Sequence, residues 1–167
     1  MTLAAPGLRR RAACFFYEGV LLFGVLMLAD YLFATLTQQR HALQHRGLGM
    51  AFLFVVLGLY FSWFWSRSGQ TLAMKTWHIR LVSAAGGRVS QARAMARYLS
   101  SWVWFLPPLA LVQIVGVSAL GVAGTVATLA GYMLVYALLA LAHPERQFWH
   151  DAWCGTRLID ARTSVRG

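Results

Sequence analysis

Two groups of ionisable side chains stand out because they lie within or against apolar sequence. Arg11 and Glu18 are seven residues apart at the start of a long apolar run. Seven residues are nearly two helical turns, so in a helix the pair shares a face and lies ~10 Å apart along the axis. Cys14 falls between them on the same side. A carboxylate inside a bilayer is costly unless it is paired, protonated or hydrated. Glu18 therefore requires a partner, either Arg11 or a basic residue from a later segment. Two readings stand side by side: a proton- or cation-binding carboxylate, and a structural ion pair between helices. Asp30 is twelve residues further on, ~18 Å along the helix and turned by about 120°, so it cannot share a site with Glu18.

The second group is His143, Glu145, Arg146, His150, Asp151 and Cys154. His150 and Cys154 are four apart, yet nothing completes a closed ligand set, so no metal centre is expected. Asp151, followed by Gly155-Thr156, reads as a helix end and turn whose acid anchors an arginine. Gly69-Gln70-Thr71 is a turn and not a phosphate cradle. No nucleotide loop, Ser-His-Asp order or hydrolase-type carboxylate pair is present. No cofactor and no enzymatic activity are expected. Cys14 and Cys154 read as free thiols.

The elements that must position these groups are apolar. The chain has 167 residues, 59% hydrophobic and only 12% charged. A soluble domain carries about 25% charged residues, so lipid must cover part of this one. Arg9, Arg10 and Arg11 precede an apolar run from Ala12 to about Leu36. That run exceeds the apolar region of a signal peptide and reads as a retained span. A second span covers about 49–65. Trp102 to Ala142 is an uncharged stretch twice too long for one crossing, so it divides into spans near 102–119 and 121–142, with the turn among the small residues of 116–124. Pro107 and Pro108 are placed to kink the third helix near its start. Ala123, Ala127 and Gly131 recur every four residues, a spacing suited to close helix packing.

Between the second and third spans, residues 66–101 form a polar segment. Trp77 to Val82 has strand composition, Ala85-Gly86-Gly87 is a turn, and Arg88-Val89 is a candidate return strand. Ser90 is a candidate N-cap for an amphipathic helix through QARAMARYL that would lie in the membrane interface. Arg93 and Arg97 share one face of it. Thr156 to Asp160, in the tail 143–167, is a further strand candidate able to pair with Trp77 to Val82.

Charge sets the orientation. Thirteen of the fifteen Lys and Arg gather in the N-terminus, the middle segment and the tail; only Arg40 and Arg46 fall on the other side. All seven Trp lie toward the same side as the thirteen. The positive-inside rule then places both termini in the cytoplasm. The expected architecture is an all-α integral membrane protein of four transmembrane helices, N-in and C-in, with a small cytoplasmic hairpin and interfacial helix between helices 2 and 3. Its net charge of +10 matches anionic lipid better than nucleic acid, because the basic residues flank apolar spans. Arg93, Arg97, Trp102 and Trp149 are the expected lipid-interface residues.

Three segments, RRRAACFFYEGVLL, GQTLAMKTWHIRLVSAAGGRVSQARAMARYL and WHDAWCGTRLID, resemble the RDD family of small bacterial membrane proteins, named for one arginine and two aspartates. The resemblance implies a multi-pass protein of the bacterial inner membrane. It carries the family arginine onto Arg11, with Arg10 adjacent, and the aspartates onto Glu18 and Asp151. Glu18 departs from the pattern by one methylene, keeping charge but lengthening reach. A transport role, cation/proton exchange in some members, is suggested for the family.

Two functions follow as expectations. In the first, the chain takes part in transport of a cation, proton or small solute, and Glu18 cycles between protonated or ion-bound and free states, with Arg11 or Asp151 tuning it and Arg10, Asp30 and His150 as secondary candidates; four helices make a narrow path, which would favour a homo-oligomer. In the second, the chain is a non-transporting accessory or scaffold. It would bind a membrane-protein partner or anionic lipid through its basic, Trp-rich face.

Overall fold

A computed structural model describes residues 4–37 and 46–162. Helix α1 (Leu8–Leu36) is followed by α2 (Arg46–Arg67), the short α3 (Leu72–Thr76), strand β1 (Ile79–Ser83) and α4 (Gln91–Ser101). A 3₁₀ turn at Trp102–Trp104 leads into α5 (Leu106–Val115), then α6 (Val117–Ala142), α7 (Trp149–Trp153) and strand β2 (Thr156–Asp160). The loop that carries Arg40 and the terminal residues that include Arg166 lie outside the described residues.

Four helical stretches are long and apolar enough to cross a membrane: Leu8–Leu36, Gly47–Arg67, Gln91–Val115 and Val117–Ala142. Their outer faces are hydrocarbon. Phe16, Phe23, Ile114 and Val122 are each at least 66% exposed, as side chains that meet lipid rather than water must be. At 1.5 Å per residue the 29 residues of α1 run for roughly 43 Å, beyond the ~30 Å hydrocarbon layer. The surplus lets the arginine-rich first turn stand at the headgroup level.

The third span differs from its expected form. The amphipathic helix anticipated as an interfacial element is α4, and Ser90 caps it by accepting the Arg93 N–H at 3.3 Å. Instead of standing apart, α4 supplies the first part of the span Gln91–Val115. It runs back along α2: Gln91 Nε2 donates to Ser62 Oγ at 3.2 Å, and Tyr98 donates to the Phe54 carbonyl at 2.7 Å. Gly58 permits this approach, since a Cβ there would lie 3.0 Å from the Tyr98 ring. The 3₁₀ turn interrupts the helix, and Pro107 and Pro108 occupy the first turn of α5, where a missing N–H costs nothing. Gly116, at φ +92, ends α5 at Val115, and the backbone leaves helical geometry again at Gly121, φ +64, so the turn between the third and fourth spans falls within the expected residues 116–124. Ala123, Ala127 and Gly131 are exposed, and among the described residues a Cβ added at Gly131 would meet nothing within 4 Å.

The extramembrane layer is a two-stranded antiparallel sheet with short helices. β1 pairs with β2, Ile79 opposite Asp160 and Ser83 opposite Thr156. The expected return strand at Arg88-Val89 does not form. The turn at Gly86 and Gly87 closes on Ser83, and Val89, 3% exposed, is drawn into the core. Ile79, Leu81 and Leu158 bury one face of the sheet against Trp65, Met74, Tyr98 and Phe148. Chain ends meet here: the Asp160 N–H donates to the Ala4 carbonyl at 3.0 Å, and Arg10 pairs with Asp160 at 2.7 Å. Both described ends of the chain therefore lie at the same end of the bundle.

Candidate functional site

The face of α1 read from spacing is buried as a unit. Arg11, Cys14 and Glu18 are 6%, 6% and 8% exposed. Burial does not make Arg11 and Glu18 partners. Glu18 Oε1 accepts the Tyr60 hydroxyl at 2.8 Å, and Oε2 accepts the Thr71 hydroxyl. No ion pair to Glu18 forms among the described residues. Each carboxylate oxygen is thus held by one neutral hydroxyl, from α2 and from the turn that caps α3. Tyr60 is seven residues from the end of α2, which sets the site ~10 Å inside the basic end of the bundle.

Arg11 instead clamps backbone. Its Nε donates to the Pro6 carbonyl at 2.7 Å and its Nη2 to the Arg146 carbonyl at 2.5 Å, while the guanidinium lies 5.1 Å from the Phe148 ring centroid. It fixes the tail to the start of α1. The fork geometry of arginine suits two diverging carbonyl acceptors, which a lysine would serve less well.

Asp151, fully buried, is the centre of a second cluster. Its Oδ1 lies 2.7 Å from Arg97 Nε and 3.3 Å from His150 Nε2. Arg97 also stacks over Trp65, 4.1 Å from its ring centroid. Burial pushes the His150 imidazole down to about 4, with the Arg97 charge adding to the effect and Asp151 opposing it. The ring is therefore neutral at ordinary pH. The Tyr136 hydroxyl accepts the His150 backbone N–H at 3.3 Å and shares a hydrogen bond with Nδ1 of the same residue at 3.0 Å. The chain Tyr136–His150–Asp151–Arg97 ties α6, α7 and α4 together.

The other sequence-derived positions fall outside these clusters. Asp30 is exposed near the far end of α1. Arg10 is half-buried and paired with Asp160; partial burial works against that carboxylate, but the Arg162 N–H and Arg10 prevail and hold it below the usual range. Cys154 Sγ is 3.4 Å from Ser100 Oγ, and both His150 ring nitrogens are engaged, so His150 and Cys154 do not act together. Arg97, expected at the lipid interface, is 7% exposed and serves Asp151. Arg93 is exposed and reaches Ser83 Oγ at 2.8 Å, Trp102 is half-buried, and Trp149 is exposed.

Sequence reasoning missed Tyr60, Thr71 and Tyr136. A signal existed for two of them: a tyrosine inside an apolar helix needs an acceptor for its hydroxyl. Thr71 carried no signal beyond its turn.

Four apolar helices, joined at one end by a charged layer, define a multi-pass α-helical membrane protein. The chain belongs to the RDD family, which matches residues 5–155. No curated protein and no solved structure matches it. The three positions that the family resemblance singled out are all inside: Arg11, Glu18 and Asp151 face the bundle and its layer, not lipid.

Proposed function

We propose that this RDD protein resides in the bacterial inner membrane with its basic end in the cytoplasm, and that it takes part in transport by exchanging a proton or small cation at Glu18. One observation carries this reading: a carboxylate 8% exposed that, among the described residues, is held by the hydroxyls of Tyr60 and Thr71 and by no cation. An anion buried without a cation is costly. Such a group gains from taking up a proton, or a hard cation that oxygen ligands suit. The structural alternative, an Arg11–Glu18 pair, lacks the contact it requires. In this reading the chain is not an enzyme and needs no cofactor; Arg11 and Asp151 secure the layer beneath the site. Reconstitution in liposomes tests it. Glu18→Gln should abolish ion- or pH-driven flux while the protein keeps its fold, and unchanged flux ends the proposal.

A second reading is favoured by a different observation. Arg67 lies 4.6 Å from the ring centroid of Trp63, which is 55% exposed, and Trp149 and Trp153 are exposed as well. Indoles beside arginines suit an anionic headgroup layer. A scaffold that holds anionic lipid or a membrane-protein partner, a second copy included, would use this face. It would show tighter retention in vesicles with anionic lipid and no flux dependence on Glu18.

A further inference from the structure

Thr71 joins the Glu18 site to the extramembrane layer. Its side chain is fully buried. The hydroxyl oxygen accepts the Met74 N–H at 3.2 Å, capping α3, while its proton goes to Glu18 Oε2. One hydroxyl therefore starts a helix and holds the carboxylate.

The turn that carries Thr71 is firmly built. Gly69, at φ +71, accepts the Leu81 N–H at 2.8 Å, and a Cβ at Gly69 would lie 2.5 Å from the Leu81 carbonyl oxygen. Gln70 Nε2 donates to the Ile79 carbonyl at 2.7 Å, and Arg80 Nε donates to the Ser68 carbonyl at 3.3 Å. Thr71 is thus fixed to β1, and β1 is paired along its length with β2. Tyr60, the other hydroxyl on Glu18, sits on the spanning helix α2 and meets the backbone of Leu72 at the start of α3, whereas Thr71 is part of the turn itself.

We infer that Thr71 is a positioning residue that transmits the charge state of Glu18 to the α3–β1 part of the layer, so that neutralising the carboxylate loosens that part at the basic end. The inference rests on the reading of Glu18 as an exchange site. A hydrogen bond to an ionised acceptor is roughly twice as strong as one between neutral groups. When Glu18 carries a proton, the Thr71 bond weakens. The turn keeps its clips to β1 while its hold on α1 slackens. The ionisable groups beside Glu18 are Tyr60 on α2 and Cys14 on α1, and no cation is paired with it among the described residues to mask the change.

Amide hydrogen exchange on the full chain in lipid nanodiscs, at one fixed pH, tests this. Glu18→Gln mimics the neutral carboxyl, Thr71→Ala removes the hydroxyl, and Thr71→Ser restores it. Amides of residues 72–83 should exchange at least roughly fivefold faster in Glu18→Gln and Thr71→Ala, as expected when one charge-assisted bond is weakened or lost. Thr71→Ser should stay near wild type, α6 should not change, and the double variant Glu18→Gln/Thr71→Ala should exchange no faster than either single one. Unchanged exchange at 72–83 in Glu18→Gln overturns the coupling, and so does equal acceleration across the whole chain. Lost flux with unchanged exchange would remove this inference alone. Changed exchange with unaltered flux would remove the exchange function and leave the coupling standing.

Discussion

Tyr60 donates its phenolic proton to Glu18 at 2.8 Å, a contact between the first two spanning helices across 42 residues of chain. Glu18 thus has a partner, but a neutral one. Tyr60→Phe and Glu18→Gln should each lower thermal stability in detergent, by about 1–3 kcal/mol. Combined, they should cost clearly less than the sum. Strict additivity would separate the two residues.

Arg11 and Glu18 give the opposite expectation. They share a buried face of α1, yet Arg11 spends its guanidinium on the Pro6 and Arg146 carbonyls. Arg11→Gln and Glu18→Gln should be additive to within about 0.5 kcal/mol in a thermal-unfolding cycle. A coupling well above that would restore the direct pair.

The Arg97–Asp151 pair is buried on both sides, at 2.7 Å. Removing one partner strands the other charge away from water. Asp151→Asn or Arg97→Gln should cost about 3–5 kcal/mol. The double replacement Arg97→Met/Asp151→Leu should be far milder than either single change, as read by melting temperature. A severe double variant would mean that this contact matters for more than charge balance.

His150 makes stability depend on pH. Its folded value is depressed to about 4 from 6.5, so the unfolded chain binds the proton first. Stability is fully present above about pH 6.5 and falls as pH drops toward 4. The loss should reach about 2 kcal/mol at pH 5 relative to pH 8. His150→Gln should remove that part of the slope in pH-dependent melting. A slope that survives the substitution assigns it elsewhere.

Much of this was open to reading in the chain itself. The four spans follow from hydropathy and length, and the buried face of α1 follows from the spacing of Arg11, Cys14 and Glu18. Ser90 announced α4, and the composition of residues 77–82 and 156–160 announced the paired strands. Three features stayed hidden for physical reasons. Helical periodicity fixes which residues share a face but not which neighbouring helix fills it, so Arg11 was a natural partner for Glu18 until Tyr60 and Thr71 took its place. Arg97 has the composition of an interfacial residue; only the return of α7 and its Asp151 makes burial affordable. The break at Trp102–Trp104 sits where Pro107 and Pro108 have no N–H for the Val103 and Trp104 carbonyls, as the prolines implied; the hidden part is tertiary, the Tyr132 hydroxyl that serves the Val103 carbonyl at 3.0 Å.

The central claim is that Glu18 exchanges a proton or cation, and flux in proteoliposomes tests it most directly. Wild-type protein, Glu18→Gln and Glu18→Asp should be compared under imposed pH and cation gradients, with melting temperature confirming the fold of each. The account predicts flux in the wild type, its loss in Glu18→Gln, and at least partial retention in Glu18→Asp, which keeps the charge. Equal flux in all three, or none in a well-folded wild type under every gradient, would contradict it.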